Sequence, residues 1–461
     1  MIGAQARASQ RADGDSAPRR GGRLLVITVA AAAIALACYL TELSIHPLNA
    51  MLTWFDLGVY RQAGLIALHH PGELYQWHLA QGIRFTYTPF AAVLFAAVSW
   101  LPLAVLGWLM TAASLVALAV TGWLMAGALG WAGRARLIMT CAASAAGLWM
   151  EPVQRALHLG QIELLLMVAV VADRCMSDRR WWKGAAIGVA AGIKLVPLIF
   201  IPYLLLAGKV RQAVVASAAF AASIGAGFVF LPGQSAHFWL TGYFLRVQNV
   251  AGYGALVNQS VLGMLVRAHA GDLAAARPAW LPVAVALGAA GLVAAAVLHR
   301  SGRPVHGWLL CALTGLLVSP ISWDHHWVWI VPILLVAADE ALRRRGAARW
   351  ACWAGAAAVA LVFFAWPPWT GLHARGLLGF FPGPGMAGSV LYHAHGIQLL
   401  AFNLFVLTGL AIYALGLIMA VRVWRQTRRT RRTRRTRPDQ DQRPRPQIQP
   451  GLPAGERAAA Q

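Results

Sequence analysis

Asp56 lies in an aromatic segment, Trp54-Phe55-Asp56-Leu57-Gly58-Val59-Tyr60, shortly after the first long apolar run of the chain. A carboxylate held between a membrane and aromatic rings is partly desolvated, which raises its pKa toward the range that a general base needs. The alternative is structural, because Asp is a favoured N-cap for the short helix expected to follow. The sequence is therefore compatible with two roles for Asp56, a general base or a helix N-cap.

A second polar cluster, Trp323-Asp324-His325-His326-Trp327, stands in a turn between two apolar runs. Histidine can donate to a phosphate oxygen or relay a proton near neutral pH. The alternative is an aromatic belt in which the histidines are interfacial polar residues. A metal site is conceivable, but adjacent histidines on a helix point in different directions and are poor joint ligands. We therefore predict no metal and no cofactor at this turn.

Lys194 interrupts an apolar run and is followed by Pro197. A cation at membrane depth is costly unless it is paired or near water, so it indicates a functional site. It could bind an anionic phosphate, or it could snorkel or pair with a carboxylate such as Glu163.

Other polar residues could contact sugar hydroxyls or phosphate, although helix ends need polar caps in any case. They are Arg155, Gln161, Glu163, Asn258 and Gln259.

Composition indicates which class of protein must position these residues. The 461 residues are 59% hydrophobic and 12% charged, against about 45–50% apolar and about 25% charged in soluble globular chains. This excludes a soluble enzyme, a disordered chain and a disulfide scaffold. The five cysteines are scattered, so no metal cluster is indicated. The net charge of +23 is concentrated at the chain ends and in short loops, which is typical of the positive-inside pattern and not of nucleic-acid binding.

The chain is thus predicted to be an all-α polytopic membrane protein with both ends in the cytoplasm. We divide it into a basic N-terminal segment (1–23), a transmembrane catalytic domain (24–422) and a basic, disordered cytoplasmic tail (423–461). The predicted spans are Leu24–Leu43, Leu103–Leu129, Leu137–Met150, Gln161–Ala172, Gly184–Leu206, Ala213–Leu231, Leu281–Leu298, Trp308–Val318, Trp327–Ala338, Trp350–Trp366 and Leu399–Val421.

Two segments adjust this path. If every basic cluster is cytoplasmic, Gly184–Leu206 must go out and back, as two short helices that meet near Lys194. The total becomes about twelve crossings. Pro89–Trp100 is then a re-entrant or interfacial helix in the first outer loop. The alternative is that it crosses the membrane, which would put Arg134 and Arg136 outside.

Most of the unusual polar residues fall in the loops left outside. These loops are Ser44–Thr88, Glu151–Gly160, Pro232–Trp280, Ser319–His326 and Pro367–Gly396. The chain contains neither a Walker loop nor a dinucleotide-binding fingerprint. An outer-face enzyme without nucleotide donors needs a lipid-linked donor such as a phosphosugar. One base plus a cationic phosphate pocket is then the minimal set of groups for a single displacement.

The motifs resemble those of glycosyltransferase family 87, the actinobacterial polyprenol-phosphate-mannose-dependent mannosyltransferases with the GT-C fold. The resemblance extends from Leu24 to Arg422. It rests on Phe55-Asp56-Leu57-Gly58-Val59-Tyr60, Phe85-Thr86-Tyr87-Thr88-Pro89-Phe90, Gly160-Gln161-Ile162-Glu163, Ile193-Lys194-Leu195-Val196-Pro197, Asn258-Gln259-Ser260, and Ser319-Pro320 through Trp327. The family usually has a second proline where this chain has Thr88.

The resemblance implies that Asp56 is the general base and that His325 or His326 binds the donor phosphate or assists the base. The implied reaction is inverting α-1,2-mannosyl transfer, without a metal, from a polyprenyl phosphate mannose to a phosphatidylinositol mannoside or lipomannan at the outer face of the plasma membrane. The predicted substrate-binding set, taken from the polar clusters and these motifs together, is Tyr60, Tyr87, Arg155, Gln161, Glu163, Lys194, Asn258, Gln259, Trp323 and Asp324. The alternatives are an arabinosyl or other polyprenyl-phosphate-sugar transferase of the same fold, a lipid or solute transporter, and a structural membrane protein.

Overall fold

The chain folds into helices joined by short loops, as the apolar composition predicts. The computed structural model describes residues 25–39, 41, 52–76, 84–245, 252–365 and 395–435, with side chains in the last range as far as residue 428. Residues 1–23 and most of the predicted outer loop 367–396 lie outside these ranges. Within them, the only β-type pairings are isolated bridges between Met150 and Phe364 and between Asn258 and Trp323.

The α-helices are α1 (Leu25–Tyr39), α2 (Phe55–His69), α3 (Pro89–Ala96), α4 (Leu103–Ala128), α5 (Gly133–Leu148), α6 (Glu151–Leu159), α7 (Glu163–Cys175), α8 (Ala185–Ile193), α9 (Phe200–Leu206), α10 (Val210–Phe230), α11 (Pro232–Ser235), α12 (Val261–Ala268), α13 (Leu273–Arg300), α14 (Pro304–Val318), α15 (Ile330–Arg343), α16 (Gly346–Phe363), α17 (Ile397–Ala401) and α18 (Leu404–Arg435). The 3₁₀ segments are Pro71–Glu73, Val196–Ile199, Tyr243–Leu245 and Asp324–Trp329, and Ala236–Leu240 is a π-helical turn.

Among the described residues, six helices are long and apolar enough to cross a bilayer, or seven if the bent pair α6 and α7 is one span. They confirm an all-α polytopic membrane protein. The twelve crossings stay a prediction, because several of the expected spans form shorter helices. Helix α13 begins at Leu273 and not at Leu281, since the Asp272 side chain accepts hydrogen bonds from the backbone of Ala274 and Ala275 and so caps it. Helix α18 continues to Arg435, so helical structure reaches into the segment expected to be disordered from residue 423.

Helix α3 has eight residues, which give it a length of about 12 Å. This is too short to cross a bilayer and agrees with the predicted re-entrant or interfacial position. Its N-cap is Thr88, whose hydroxyl accepts a hydrogen bond from the Ala91 N–H and donates one to the Gly192 carbonyl. Thr88 therefore fastens the start of α3 to the end of α8.

The segment predicted to go out and back does so. Helix α8 ends before Lys194, and a 3₁₀ turn leads into α9. Lys183, just before α8, and Lys209, just after α9, both contact Asp178, at 2.7 Å each. Since the two ends of the segment meet at one carboxylate, Lys194 lies near the turn, at the opposite end of α8.

The predicted outer loop Glu151–Gly160 is instead helix α6, so that expectation was wrong. Pro152 fits the first turn of a helix, where no backbone donor is needed, and Gly160 ends the helix at φ 68°, a conformation that favours glycine. Helices α6 and α7 meet at a bend of 118°. The bend places Gln161 and Glu163 at an elbow between the two helices.

Candidate active site

A cavity of about 270 Å³ lies where the start of α2, the α6–α7 elbow, the Lys194 turn and the 3₁₀ segment at Asp324 meet. Ten of the thirteen predicted site residues line it: Asp56, Tyr60, Tyr87, Arg155, Gln161, Lys194, Trp323, Asp324, His325 and His326. Residues far apart in the sequence thus converge on one cavity. Its apolar wall includes Ile193, Val196, Phe238 and Ile321.

Asp56 lies in the first turn of α2, and the start of that helix is fixed by neighbouring elements. The Trp54 N–H donates to the His158 carbonyl at the end of α6, and the Trp54 indole donates to Thr111. The N-cap residue is Trp54 and makes no side-chain cap hydrogen bond. The cap alternative for Asp56 is therefore wrong, because its Oδ2 instead accepts a hydrogen bond from the Gln161 amide.

Gln161 connects Asp56 to two buried tyrosines. Its Oε1 accepts a hydrogen bond from the Tyr60 hydroxyl at 2.5 Å and another from the Tyr87 hydroxyl at 3.2 Å. The two tyrosine hydroxyls are 2.6 Å apart. Burial raises the pKa of both tyrosines well above the ordinary value, so both remain protonated and neutral. The orientation of the Gln161 amide follows from these partners. Its NH₂ group faces the Asp56 carboxylate, which needs a donor, and its oxygen faces the tyrosine hydroxyls, which need an acceptor.

Lys194 is a cation of the cavity, which Arg84 and Arg155 also line. Its ammonium group forms an ion pair with Glu163, lies 2.9 Å from Nε2 of His326 and donates to the Tyr87 hydroxyl at 3.3 Å. The predicted pairing with Glu163 is thereby confirmed. Tyr87 also joins the two halves of the site, because it contacts both Lys194 and Gln161.

The paired histidines lie side by side on a 3₁₀ turn, with their rings 4.8 Å apart and nearly perpendicular. Oε1 of Glu163 is 3.9 Å from Nε2 of His325 and 3.5 Å from Nε2 of His326. The expectation that the two rings point apart was wrong, since both reach one carboxylate. Glu163, His325 and His326 present ligand atoms within 4.8 Å of one another and could hold a metal. The Lys194 ammonium group already contacts two of these three residues.

Asp324 orients one histidine and binds one arginine. Its Oδ1 is 3.2 Å from Nδ1 of His325, and its Oδ2 is 3.5 Å from Nε of Arg155. The aspartate carboxylate thereby fixes a proton on Nδ1 of His325 and turns Nε2 toward Glu163.

Asn258 and Gln259 are fully buried and do not line the cavity. The Asn258 side chain accepts a hydrogen bond from the Ser322 N–H at 2.9 Å and donates to the Pro320 carbonyl at 3.1 Å. The Gln259 amide donates to the Phe402 carbonyl at 2.8 Å. These residues brace the segment that carries Asp324 and the histidines, in contrast to the substrate contact expected from sequence.

Burial raises the pKa of the Asp56 carboxyl above its ordinary value of 3.8. Glu163 adds to this effect, while His325, the Gln161 hydrogen bond and Lys194 act in the opposite direction. A carboxylate with a raised pKa is a better proton acceptor, so the direction agrees with the predicted base.

The model of glycosyltransferase family 87 matches residues 85–320, more than half of the chain. The chain belongs to glycosyltransferase family 87. It is 32% identical over 308 residues to a polyprenol-phosphate-mannose-dependent alpha-(1-2)-phosphatidylinositol pentamannoside mannosyltransferase of Mycobacterium tuberculosis. The aligned region covers 65% of this chain and 69% of that protein. A phosphatidylinositol mannoside mannosyltransferase of Mycolicibacterium smegmatis with the same donor dependence is 31% identical, over 63% of this chain and 71% of that protein. No solved structure matches the chain.

Family 87 membership identifies the protein as a membrane glycosyltransferase and not as a transporter or a structural protein. The matched region contains Tyr87, Gln161, Glu163 and Lys194, whereas Asp56 and the paired histidines lie outside it. The cavity brings Asp56 and the histidines together with Tyr87, Gln161 and Lys194, and Glu163 pairs with Lys194 without lining the cavity itself.

Several residues that help to form this family 87 site were not predicted as site residues, among them Arg84, Phe238 and Thr88. Arg84 and Phe238 line the cavity, and Thr88 fixes α3 against α8. Arg84 could have been recognised as a basic residue next to an aromatic motif in a predicted outer loop. Phe238 gave no signal that distinguishes it from other apolar residues.

Proposed function

We propose that this protein transfers mannose in α-1,2 linkage from a polyprenyl phosphate mannose to a phosphatidylinositol mannoside acceptor. The donor and acceptor classes are those in the names of the mycobacterial relatives. The observation that carries the proposal is that one cavity holds a carboxylate and a cation, connected through Gln161 and Tyr87. A lipid-phosphate leaving group requires these two functions on opposite sides of the glycosyl carbon.

Asp56 acts as the general base in this mechanism. It accepts the proton of the acceptor hydroxyl while the acceptor oxygen forms a bond to the anomeric carbon. The bond from that carbon to the phosphate oxygen breaks, and the polyprenyl phosphate leaves with the electron pair as a stable anion, so it needs no general acid. A single displacement inverts the anomeric centre, so a β-linked donor gives an α-linked product.

Lys194 and His326 stabilise the leaving phosphate. The ammonium group donates to Nε2 of His326, which places the proton of a neutral imidazole on Nδ1. That Nδ1 has no partner among the described residues. Preorganised donors aimed at developing negative charge are usually the largest contribution to such catalysis. Arg155, Trp323 and Asp324 are available for sugar hydroxyls on the other wall of the cavity.

The distribution of charge supports a position of the cavity at the outer face of the plasma membrane. Lys183, Lys209 and Arg211 gather on Asp178 and its neighbours. This cluster lies at the end of α8 that is remote from Lys194. Basic loops stay in the cytoplasm, so the cavity opens toward the opposite side.

A transfer assay tests the proposal. Purified protein in lipid nanodiscs receives a phosphatidylinositol mannoside and either labelled mannosyl or labelled arabinosyl phosphopolyprenol, with GDP-mannose as the control donor. We expect label to enter the acceptor only from the mannosyl lipid. Transfer from the arabinosyl lipid alone would contradict the sugar assignment, and transfer from GDP-mannose would contradict the lipid-linked donor.

A further inference from the structure

The cation proposed for the donor phosphate is already bound by a carboxylate of the protein. The Lys194 and Glu163 side chains form an ion pair and are 17% and 7% exposed. Because both are largely withdrawn from water, neither charge is well solvated without the other. A phosphate that binds Lys194 must therefore replace Glu163 or compete with it.

Glu163 and the paired histidines beside it leave several buried polar atoms without a partner. Its Oε1 already lies 3.5 Å and 3.9 Å from Nε2 of His326 and His325. Its Oε2 is buried without a hydrogen-bond partner among the described residues, and the same holds for Nε2 of His325 and Nδ1 of His326. Unpaired buried polar atoms destabilise a fold, so this cluster is better suited to rearranging around a ligand than to holding the protein together.

The two aspartates that line the cavity are engaged elsewhere. Asp56 accepts from Gln161, and Asp324 contacts Arg155 and His325. Among the described residues, Glu163 is therefore the carboxylate in direct contact with Lys194.

We propose that Glu163 is an internal competitor for the donor phosphate. Without a donor, its carboxylate occupies Lys194. The donor phosphate displaces it from Lys194, and it returns when the product leaves. This inference rests on the proposed function, and it gives Glu163 a role other than a substrate contact. The competition weakens the binding of the polyprenyl phosphate product, whose negative charge would otherwise hold it on Lys194.

A binding experiment separates this idea from catalysis. The probe is a short-chain polyprenyl phosphate, and its dissociation constant is measured on protein in nanodiscs for wild type, Glu163→Gln, Lys194→Gln and the double variant. We expect Glu163→Gln to bind the probe about tenfold more tightly, because the amide keeps the shape and removes the competing charge. In the Lys194→Gln background the same substitution should change binding by less than about threefold, because no pair remains to be broken.

Several outcomes would overturn the inference. Weaker binding by Glu163→Gln would mean that the carboxylate helps to hold the phosphate site. An equal gain in both backgrounds would mean simple charge repulsion without competition for Lys194. If Lys194→Gln does not fold, Glu163→Asp replaces it, since a shorter arm loosens the pair and should give an intermediate affinity. An affinity equal to that of wild type would then contradict the proposal.

Two controls keep the tests distinct. Glu340→Gln makes the same chemical change in a network with Arg303, His306 and Arg344, away from the cavity, and should leave probe binding unchanged. Uncharged polyprenol is the ligand control. If wild type does not prefer the phosphate over polyprenol, the proposed function fails. If it does prefer the phosphate and only the Glu163→Gln result is absent, this inference fails alone.

Discussion

Helices α7 and α8 run between the cavity and the basic cluster, and a lysine–carboxylate pair lies at each end. In the basic cluster, Lys183 donates to Asp178 at 2.7 Å and to the carbonyls of Arg174 and Met176 at 3.2 Å and 2.5 Å. Asp178 also accepts from Lys209 and Gln212. Every donor of that ammonium group and both oxygens of that carboxylate are thus used.

The pair in the cavity is bonded less completely. Oε2 of Glu163 has no partner among the described residues, and the Lys194 ammonium group contacts side chains that line a cavity instead of backbone carbonyls. The comparison teaches that a lysine–carboxylate pair stabilises the fold where all its hydrogen-bonding groups have partners, many of them in the backbone. The same pair is available for function where some of these groups remain unpaired. Substitutions at the two ends should therefore separate activity from stability.

The largest difference between an effect on activity and an effect on stability is expected for substitutions of the two aspartates, Asp56 and Asp178. Asp56→Asn should reduce kcat/KM for sugar transfer by about 10³-fold, since a general base contributes about 10²–10⁴-fold. The melting temperature should stay close to that of wild type. Asp178→Asn should do the reverse and lower the melting temperature while the folded enzyme keeps its kcat. Near-normal turnover by Asp56→Asn would place the base elsewhere.

The two lysines give the next largest contrast. Lys194→Gln should lower kcat/KM about 10²-fold, as expected when a donor to a developing anion is removed. Lys183→Gln should leave kcat unchanged and lower the free energy of unfolding by about 2 kcal/mol, because hydrogen bonds to two carbonyls and a carboxylate are lost. Transfer assays and denaturant midpoints measure the two effects. A similar loss of activity in both variants would remove the distinction between the ends.

The sequence identified the polar residues of the cavity more reliably than their geometry. Asp56, Lys194 and the histidines stand out because polar residues are rare in this chain and costly in a membrane. The break at Lys194 followed from Pro197 and from the parity of the basic loops. These inferences depend only on residue type and local spacing.

Other features depend on tertiary contacts that no local pattern encodes. Helix α6 was predicted as a loop because its residues are polar, yet it packs against the 3₁₀ segment that carries the histidines. Gln161 reaches Asp56 only because α6 and α7 bend sharply at Gly160. Asn258 holds the segment before the histidines in place instead of lining the cavity. Only its burial and its hydrogen-bond partners show this, and neither can be seen in the sequence.

The pH dependence of activity and stability gives a further, smaller difference between the two ends, because the pKa values of Asp56 and Asp178 are shifted in opposite directions. Burial raises the pKa of Asp56. Burial also acts to raise the pKa of Asp178, but the hydrogen bonds and charges of Lys183 and Lys209 outweigh it and hold that pKa below 3.8. On acidification, kcat/KM should fall about tenfold per pH unit once the pH drops below the raised pKa of Asp56. This decline should begin at a higher pH than for an ordinary aspartate.

Stability should respond at lower pH and through the other aspartate. The folded-state pKa of Asp178 lies below its unfolded value, so its contribution is complete above the unfolded pKa and is lost as the pH falls toward the folded one. Asp56 has the opposite sign: its raised pKa makes the folded state bind more protons, so stability decreases as the pH rises through the window above 3.8. Profiles of kcat/KM and melting temperature, recorded for wild type and Asp178→Asn, separate the two. The variant should keep the acidic decline in activity and lose part of the acid-dependent change in melting temperature. An activity profile that stays flat into strongly acidic solution would contradict Asp56 as the base, because a carboxylate that takes a proton from the acceptor has to be ionised first.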